Sequence, residues 1–257
     1  MALRIESLLT SDTLIGLIKG EVDAIHQRRF WACAEPERLA QRIDDLCSVS
    51  SYALTADFAS VGVSVGDASE GSDREELYFS AALDTSDRLR EAFFPVGFPG
   101  DKMRAVIDEL WPAGAMAARS RGRVMLPFNV RRWIPGDSAR PHIDQCKSVV
   151  MKSLGLKKRL GANLYVEVPP DSGGGELDFW SFPESESRYE AIRTGAYGVD
   201  SKELGEPVQT LMPGQGDLIL FDAARLHGVR RVEVGRRVTV AGFLGVRNEA
   251  EPLVIFC

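Results

Sequence analysis

The chain has 257 residues, 44% of them hydrophobic and 26% charged, the composition of a globular protein with a sizeable core. Its 31 basic and 37 acidic residues leave a net charge of −6 and no long basic run, which weighs against a phosphate-tracking nucleic-acid surface. No stretch is apolar enough to span a bilayer, and the acid-bearing start MALRIESLLTSD lacks the apolar core of a signal peptide, so a cytoplasmic protein without membrane or nucleic-acid partners is expected.

Cys33, Cys47, Cys146 and Cys257 are scattered without Cys-x-x-Cys spacing, so reduced thiols are expected in place of a disulfide framework or structural zinc. Residues 11–48 read as two helices. Ser11 or Asp12 is placed to cap the first, in which Leu14, Ile15, Leu17, Ile18, Val22 and Ile25 recur at helical spacing, weakened by Gly16 and Gly20. Pro36 opens the second, with Leu39, Ile43 and Leu46 on one face. His26 lies between them with no cluster of partners, and reads as a helix-face or core histidine. Residues 61–65 alternate like a strand and 66–76 read as a loop. A further helical stretch, 85–119, has Asp101 as candidate cap and Met103, Val106, Ile107 and Leu110 turned inward, with breaks at Pro112 and Gly114.

From about 122 the pattern changes to short β segments with turn residues between them: 123–134, PHID, 160–168, 176–182, VQTLM, DLILF, 225–234 and 237–246. That set suits a jelly roll. The stretch 182–207 breaks the rhythm and reads as a lid or as a solvated short helix. The whole chain, 1–257, reads as a single domain. It has a mainly helical support region at 1–121 and a β core at 122–257.

Only three histidines occur, and two of them, His142 and His227, fall in the β segments. In His142-x-Asp144, residues i and i+2 of a strand point the same way, so an imidazole and a carboxylate face one interior. Two imidazoles and one carboxylate suit Fe(II) held on one face with other positions open. The pair alone is a common chance pattern, and its surroundings carry the argument. Beyond His227, Arg236 and Arg237 point to opposite faces of a strand, and one of them is placed to hold the far carboxylate of a diacid.

Three segments in order, VRRWIPGDSARPHID, NLYVEVPPDSGGGELDFW and VQTLMPGQGDLILFDAARLHGVRRVEVGRRVTVAGF, resemble the Fe(II)/2-oxoglutarate-dependent oxygenases, in their prolyl-hydroxylase-like branch. The similarity spans about 125–246. It implies a mainly β fold with flanking helices: a double-stranded β-helix (jelly roll, cupin-like) core with the N-terminal helical region packed on it. It implies that His142, Asp144 and His227 ligate Fe(II). The family's Gly-x-Arg spacing selects Arg237 for the 5-carboxylate of 2-oxoglutarate, with Thr239 adding a hydroxyl on the same face. Asn129, Arg131 and Tyr165, with Trp133 and Asn163 beside them, are candidates to contact the co-substrate, or else polar groups at the core edge. Glycines 173–175 read as a turn, since no helix follows to make a phosphate cradle.

The implied reaction consumes O2 and 2-oxoglutarate, releases succinate and CO2, and hydroxylates an unactivated C–H bond of a small molecule, such as a free amino acid or a natural-product intermediate. Related halogenases carry Gly or Ala in place of the aspartate, so Asp144 implies oxygenation. A peptidyl or protein hydroxylase and a non-catalytic metal- or 2-oxoglutarate-binding jelly roll are the alternatives. The oligomeric state is left open.

Overall fold

The computed structural model describes residues 3–33, 35–49, 58–65, 73–144, 153–181, 186–193 and 198–257. Its spine is the strand β14 (Arg237–Val246). Alternation sends Val238, Val240, Leu244 and Val246 into the main apolar core and turns Arg237, Thr239, Ala241 and Phe243 toward a cavity. β9 (Lys158–Glu167) pairs antiparallel along its whole length, while β7 (Asn129–Trp133) takes the first half of the other edge and β15 (Leu253–Phe256) the second. Outward from β9 lie β12 (Leu218–Asp222), β2 (Ala24–Gln27) and β1 (Ile5–Glu6); β3 (Ala59–Val61) adds to β7 and β4 (Ala115–Ala117) to β15, which completes a nine-stranded sheet.

A four-stranded sheet runs β11 (Gln209–Leu211), β10 (Leu177–Phe179), β13 (His227–Val229) and β8 (Ala139–His142), all antiparallel. β5 (Arg119–Ser120) and β6 (Arg123–Val124) form a small hairpin. Tyr165, Ile219 and Phe221 of the large sheet meet Leu177, Phe179 and Leu211 of the small one in a shared cluster. This is the double-stranded β-helix expected from the sequence. The outer face of the large sheet is covered by α1 (Ser11–Lys19), α2 (Pro36–Val49), α3 (Asp73–Ala92) and α4 (Pro99–Leu110). Leu14, Leu39, Ile43, Leu89, Met103 and Ile107 share one core with Leu164, Leu220 and Val240. Each fully buried side chain of this kind is worth about 1.5–3 kcal/mol.

The N-terminal third differs from its helical expectation. Gly20 adopts the left-handed region (φ 79°) and ends α1, so Ile25 and His26 are strand residues of β2, paired with Leu220 and Ile219 of β12. The cap of α1 is Thr10, not Ser11 or Asp12: its hydroxyl accepts from the Thr13 N–H in a reciprocal capping box. Asp101 does not cap α4, which begins at Pro99; it forms a two-pronged ion pair with Arg90 at 2.8 and 3.0 Å. α3 begins at Asp73, so the last four residues of the expected loop are helical, while 66–72 lie outside the described residues. The expected helix 85–119 is the end of α3, a separate α4, and strands β4 and β5.

In the β half, the expected segment 123–134 divides around Pro127, which has no N–H for a ladder. Segment 225–234 keeps only His227–Val229 as strand. Within 182–207, the helix α5 (Glu186–Ile192) and a tight turn at Ser201–Glu203 are described, and 182–185 and 194–197 are not. Among the described residues no helix is long and apolar enough to cross a membrane. Cys33, Cys47 and Cys257 are free thiols; Cys146 lies outside the described residues.

Candidate active site

β8 and β13 are neighbours, and His142 and His227 pair directly across their ladder, with ring centroids 4.3 Å apart. β8 ends at His142, and the chain is then pinned by the Asp144 N–H, which donates to the Ala223 carbonyl at 2.9 Å. Asp144 Oδ1 lies 3.6 Å from His142 Nε2, and its Oδ2 lies 3.4 Å from His227 Nε2. One ligand atom from each residue falls within 4.8 Å of the others. Nδ1 of His142 sits 2.8 Å from the Arg140 carbonyl, and Nδ1 of His227 sits 2.8 Å from that of Arg225. A carbonyl only accepts, so each Nδ1 carries a proton and each Nε2 is the ring nitrogen that faces Asp144.

Burial, and then the nearby charge of His227, lower the His142 pKa to about 4, against the pull of Asp144. Its imidazole is therefore neutral at pH 7, as a metal ligand must be. For Asp144, burial raises the pKa, but the hydrogen bond to His227 and the charges of His227, His142 and Arg131 outweigh it and hold the carboxyl well below its usual range. The ring of Phe221 packs against His227 at 4.7 Å. Gly161 makes room for it: a Cβ there would lie 2.6 Å from the Phe221 ring.

On the facing sheet, Arg237 is 2% exposed. Its Nη2 donates to the Tyr165 hydroxyl at 3.2 Å, while Nε and Nη1 have no partner among the described residues. The guanidinium lies 5.0 Å from the Tyr165 ring and 5.2 Å from that of Trp133. Unmet N–H donors on a buried cation are costly, and an acid group brought into the cavity supplies acceptors for them. Thr239 and Asn163 line the same cavity, and Tyr165 lies beneath it as the partner of Arg237. Arg236 turns outward and binds Glu167 at 2.7 and 2.8 Å, with Asp44 as a further partner. Arg131 and Trp133 line the cavity; Asn129 does not. It is buried at the start of β7, where its amide donates to the Ser60 hydroxyl at 3.2 Å.

The triad fits a divalent iron, and the unmet Arg237 donors fit an acid group held beside it. Residues 128–245 match the family model of the 2OG-Fe(II) oxygenase superfamily. The matched stretch is the β core that carries the triad and Arg237. The match supports an oxygenase whose cofactors are Fe(II) and 2-oxoglutarate. Among solved structures, an N-substituted L-amino acid dioxygenase from Burkholderia ambifaria AMMD is 21% identical, with a TM-score of 0.64 over 96% of this chain and 91% of that one. The same enzyme in complex with alpha-KG gives 0.60 at the same identity and coverage. A prolyl-4-hydroxylase from Pseudomonas putida is 13% identical, with a TM-score of 0.46 over 93% and 100% of the two chains. A search of curated protein sequences finds no match.

Sequence reasoning missed Phe58, Gly161, Phe221 and Phe243 in the cavity wall. Strand alternation in DLILF was the available signal for Phe221, since Ile219 and Phe221 share a face. His26 stands apart from the triad and is not partnerless: its Nε2 lies 2.7 Å from Asp217 Oδ2, which ties β2 to the turn before β12. Of glycines 173–175, Gly173 closes a turn through its N–H on the Pro170 carbonyl at 2.8 Å, and Gly174 lies beyond it in an isolated bridge with Val232. Behind the triad, Ile143 packs on a cluster of Trp180, Tyr189, Val199 and Leu226, so α5 is anchored through Tyr189.

Proposed function

We propose that this chain is a single-domain, cytoplasmic Fe(II)/2-oxoglutarate-dependent dioxygenase that hydroxylates an unactivated C–H bond of a small molecule, an amino acid or a related natural-product intermediate. His142, Asp144 and His227 would hold the iron, and Arg237 would take the 5-carboxylate of 2-oxoglutarate, with Tyr165 and Thr239 beside it. When bound, Fe(II) supplies O2 activation, with 2-oxoglutarate as the electron source that leaves as succinate and CO2.

The protein's own residues have three tasks in this reading. Carbonyls of Arg140 and Arg225 fix both histidine tautomers. Asp144 offsets part of the metal's charge and excludes an external anion from its place. Phe221, Trp133 and Phe243 keep the cavity wall dry apart from its few polar groups. The observation that carries the reading is Arg237: a buried guanidinium with two unmet donors on the same cavity as the triad. Support for the amino-acid class is the fold shared with an N-substituted L-amino acid dioxygenase.

Succinate release tests it. Protein with Fe(II), 2-oxoglutarate and O2 should form succinate faster when members of a panel of free and N-acylated amino acids are added, and Asp144→Ala should abolish the increase. Stimulation by none of them would sink the amino-acid class. An unchanged rate in Asp144→Ala would remove Asp144 from the metal site.

A further inference from the structure

Among the described residues lining the cavity the charged ones are Arg131, Arg237 and Asp144. A divalent metal would leave this wall with a surplus of three positive charges, of which a 2-oxoglutarate dianion removes two. The remaining charge has a location. Arg131 pairs with Thr239 across the β7–β14 ladder, one inward step along from the Trp133–Arg237 pair. It is half-buried, whereas Arg237 is 2% exposed, so Arg131 stands nearer to solvent on the same wall.

Its guanidinium has no ion pair or hydrogen bond among the described residues, and lies 5.7 Å from the Phe58 ring. The next residue shows the contrast: Arg132 faces the helices and is held by Asp44 at 2.8 Å. Trp133, two residues along the same face, adds a buried Nε1–H with no partner among the described residues, and Phe58 stacks on its ring at 4.0 Å.

We propose that Arg131 binds a carboxylate of the primary substrate, which makes the enzyme selective for acids over the corresponding amides and esters. This rests on the dioxygenase reading above and specifies its substrate. Arg131 is not a second anchor for 2-oxoglutarate, because Arg237 already offers that dianion a deep site with its own hydroxyl partners. The half-buried cation beside an apolar ring suits a ligand with one acid group and an apolar part, as in an amino acid whose nitrogen is acylated.

The test uses wild-type protein and the variants Arg131→Gln and Arg131→Lys, loaded with Zn(II) and 2-oxoglutarate so that no turnover occurs. The probes are the N-acetyl derivatives of the common amino acids and the same set as carboxamides, with binding read by ligand-observed NMR. The 2-oxoglutarate affinity of each variant is measured separately, from the charge-transfer band of the anaerobic Fe(II) complex. Wild type should bind one or more acids and discriminate against the matching carboxamide by about tenfold or more, the effect of removing one partner of a charged hydrogen bond. Arg131→Gln should lose that preference with less than about a twofold change in 2-oxoglutarate affinity, which also reports that it is folded, and Arg131→Lys should regain part of it. Equal binding of acids and carboxamides, or binding of no acid, overturns the proposal. So does a 2-oxoglutarate affinity that falls with the charge of residue 131. A wild type that forms no iron–2-oxoglutarate complex overturns the dioxygenase reading itself, a result separable from all of these.

Discussion

Arg237 carries the co-substrate argument because of what it lacks. Its neighbour Arg236 is satisfied by Glu167 and Asp44 on the outer face, whereas Arg237 keeps two unmet donors inside. Arg237→Gln should therefore raise the KM for 2-oxoglutarate by about 10- to 100-fold, the cost of unpairing a buried carboxylate, while Arg236→Gln should leave it unchanged. Steady-state kinetics at varied 2-oxoglutarate checks both, and the opposite ranking would mean the strand is misread by one residue. Strand periodicity made this pair legible in the sequence, since a one-residue slip reverses every side chain. The same periodicity could not give depth. Asn129 shares the alternation of Arg131 and Trp133, yet it lies at the start of β7 under Ser60 and away from the cavity. A second residue-scale expectation concerns Cys257, whose thiol burial pushes up to about 12, with Arg131 opposing. The native thiol should resist iodoacetamide at pH 8 and react once the chain is unfolded, as mass spectrometry of tryptic peptides would show. The unfolded thiol ionises first, so this group's contribution to stability should decline as pH rises from about 9 toward 12.

At the scale of elements, β14 was legible: Arg237 to Val240 alternate polar and apolar, and the apolar run to Val246 continues them as one strand. β1, β2 and β4 were not. They are two to four residues long, too short to show a period, and they are strands because a partner's ladder is open beside them. Nor could the sequence show that Asp44 of α2 bridges Arg132 of β7 and Arg236 at the start of β14, which fixes that helix on the sheet. These groups are partly exposed, so the bridge is modest. Asp44→Asn should cost about 1 kcal/mol and lower Tm by about 2–4 °C in a chain of this length, with 2-oxoglutarate affinity unchanged. Calorimetry beside a binding titration separates that outcome from damage to the site. Gly161 works at the junction of β9 and β12. Gly161→Ala would press the Phe221 ring into His227, and metal affinity should fall more than thermal stability does.

For the whole molecule, the division of labour follows from two sheets with different second faces. The large sheet buries one face under four helices and turns the other toward the small sheet, and the polar groups of the site gather along the seam between them. His142, Asp144 and His227 come from the small sheet and its β8 exit, and Arg131 and Arg237 come from the large one. A site built across the seam holds only while the sheets stay registered. Its residues were legible because histidines are scarce here and two of three fall in the right segments. The aromatic wall was not, since Phe58, Phe221 and Phe243 meet only after the sheets have closed.

The measurement that tests the central claim most directly is an anaerobic titration of the metal-free protein with Fe(II) and 2-oxoglutarate, followed through the visible metal-to-ligand charge-transfer band. It requires no knowledge of the substrate. Wild type should develop the band, and His227→Ala, folded by circular dichroism, should not. A wild-type protein that is folded and binds iron yet shows no band, or a His227→Ala variant that keeps it, would contradict the account.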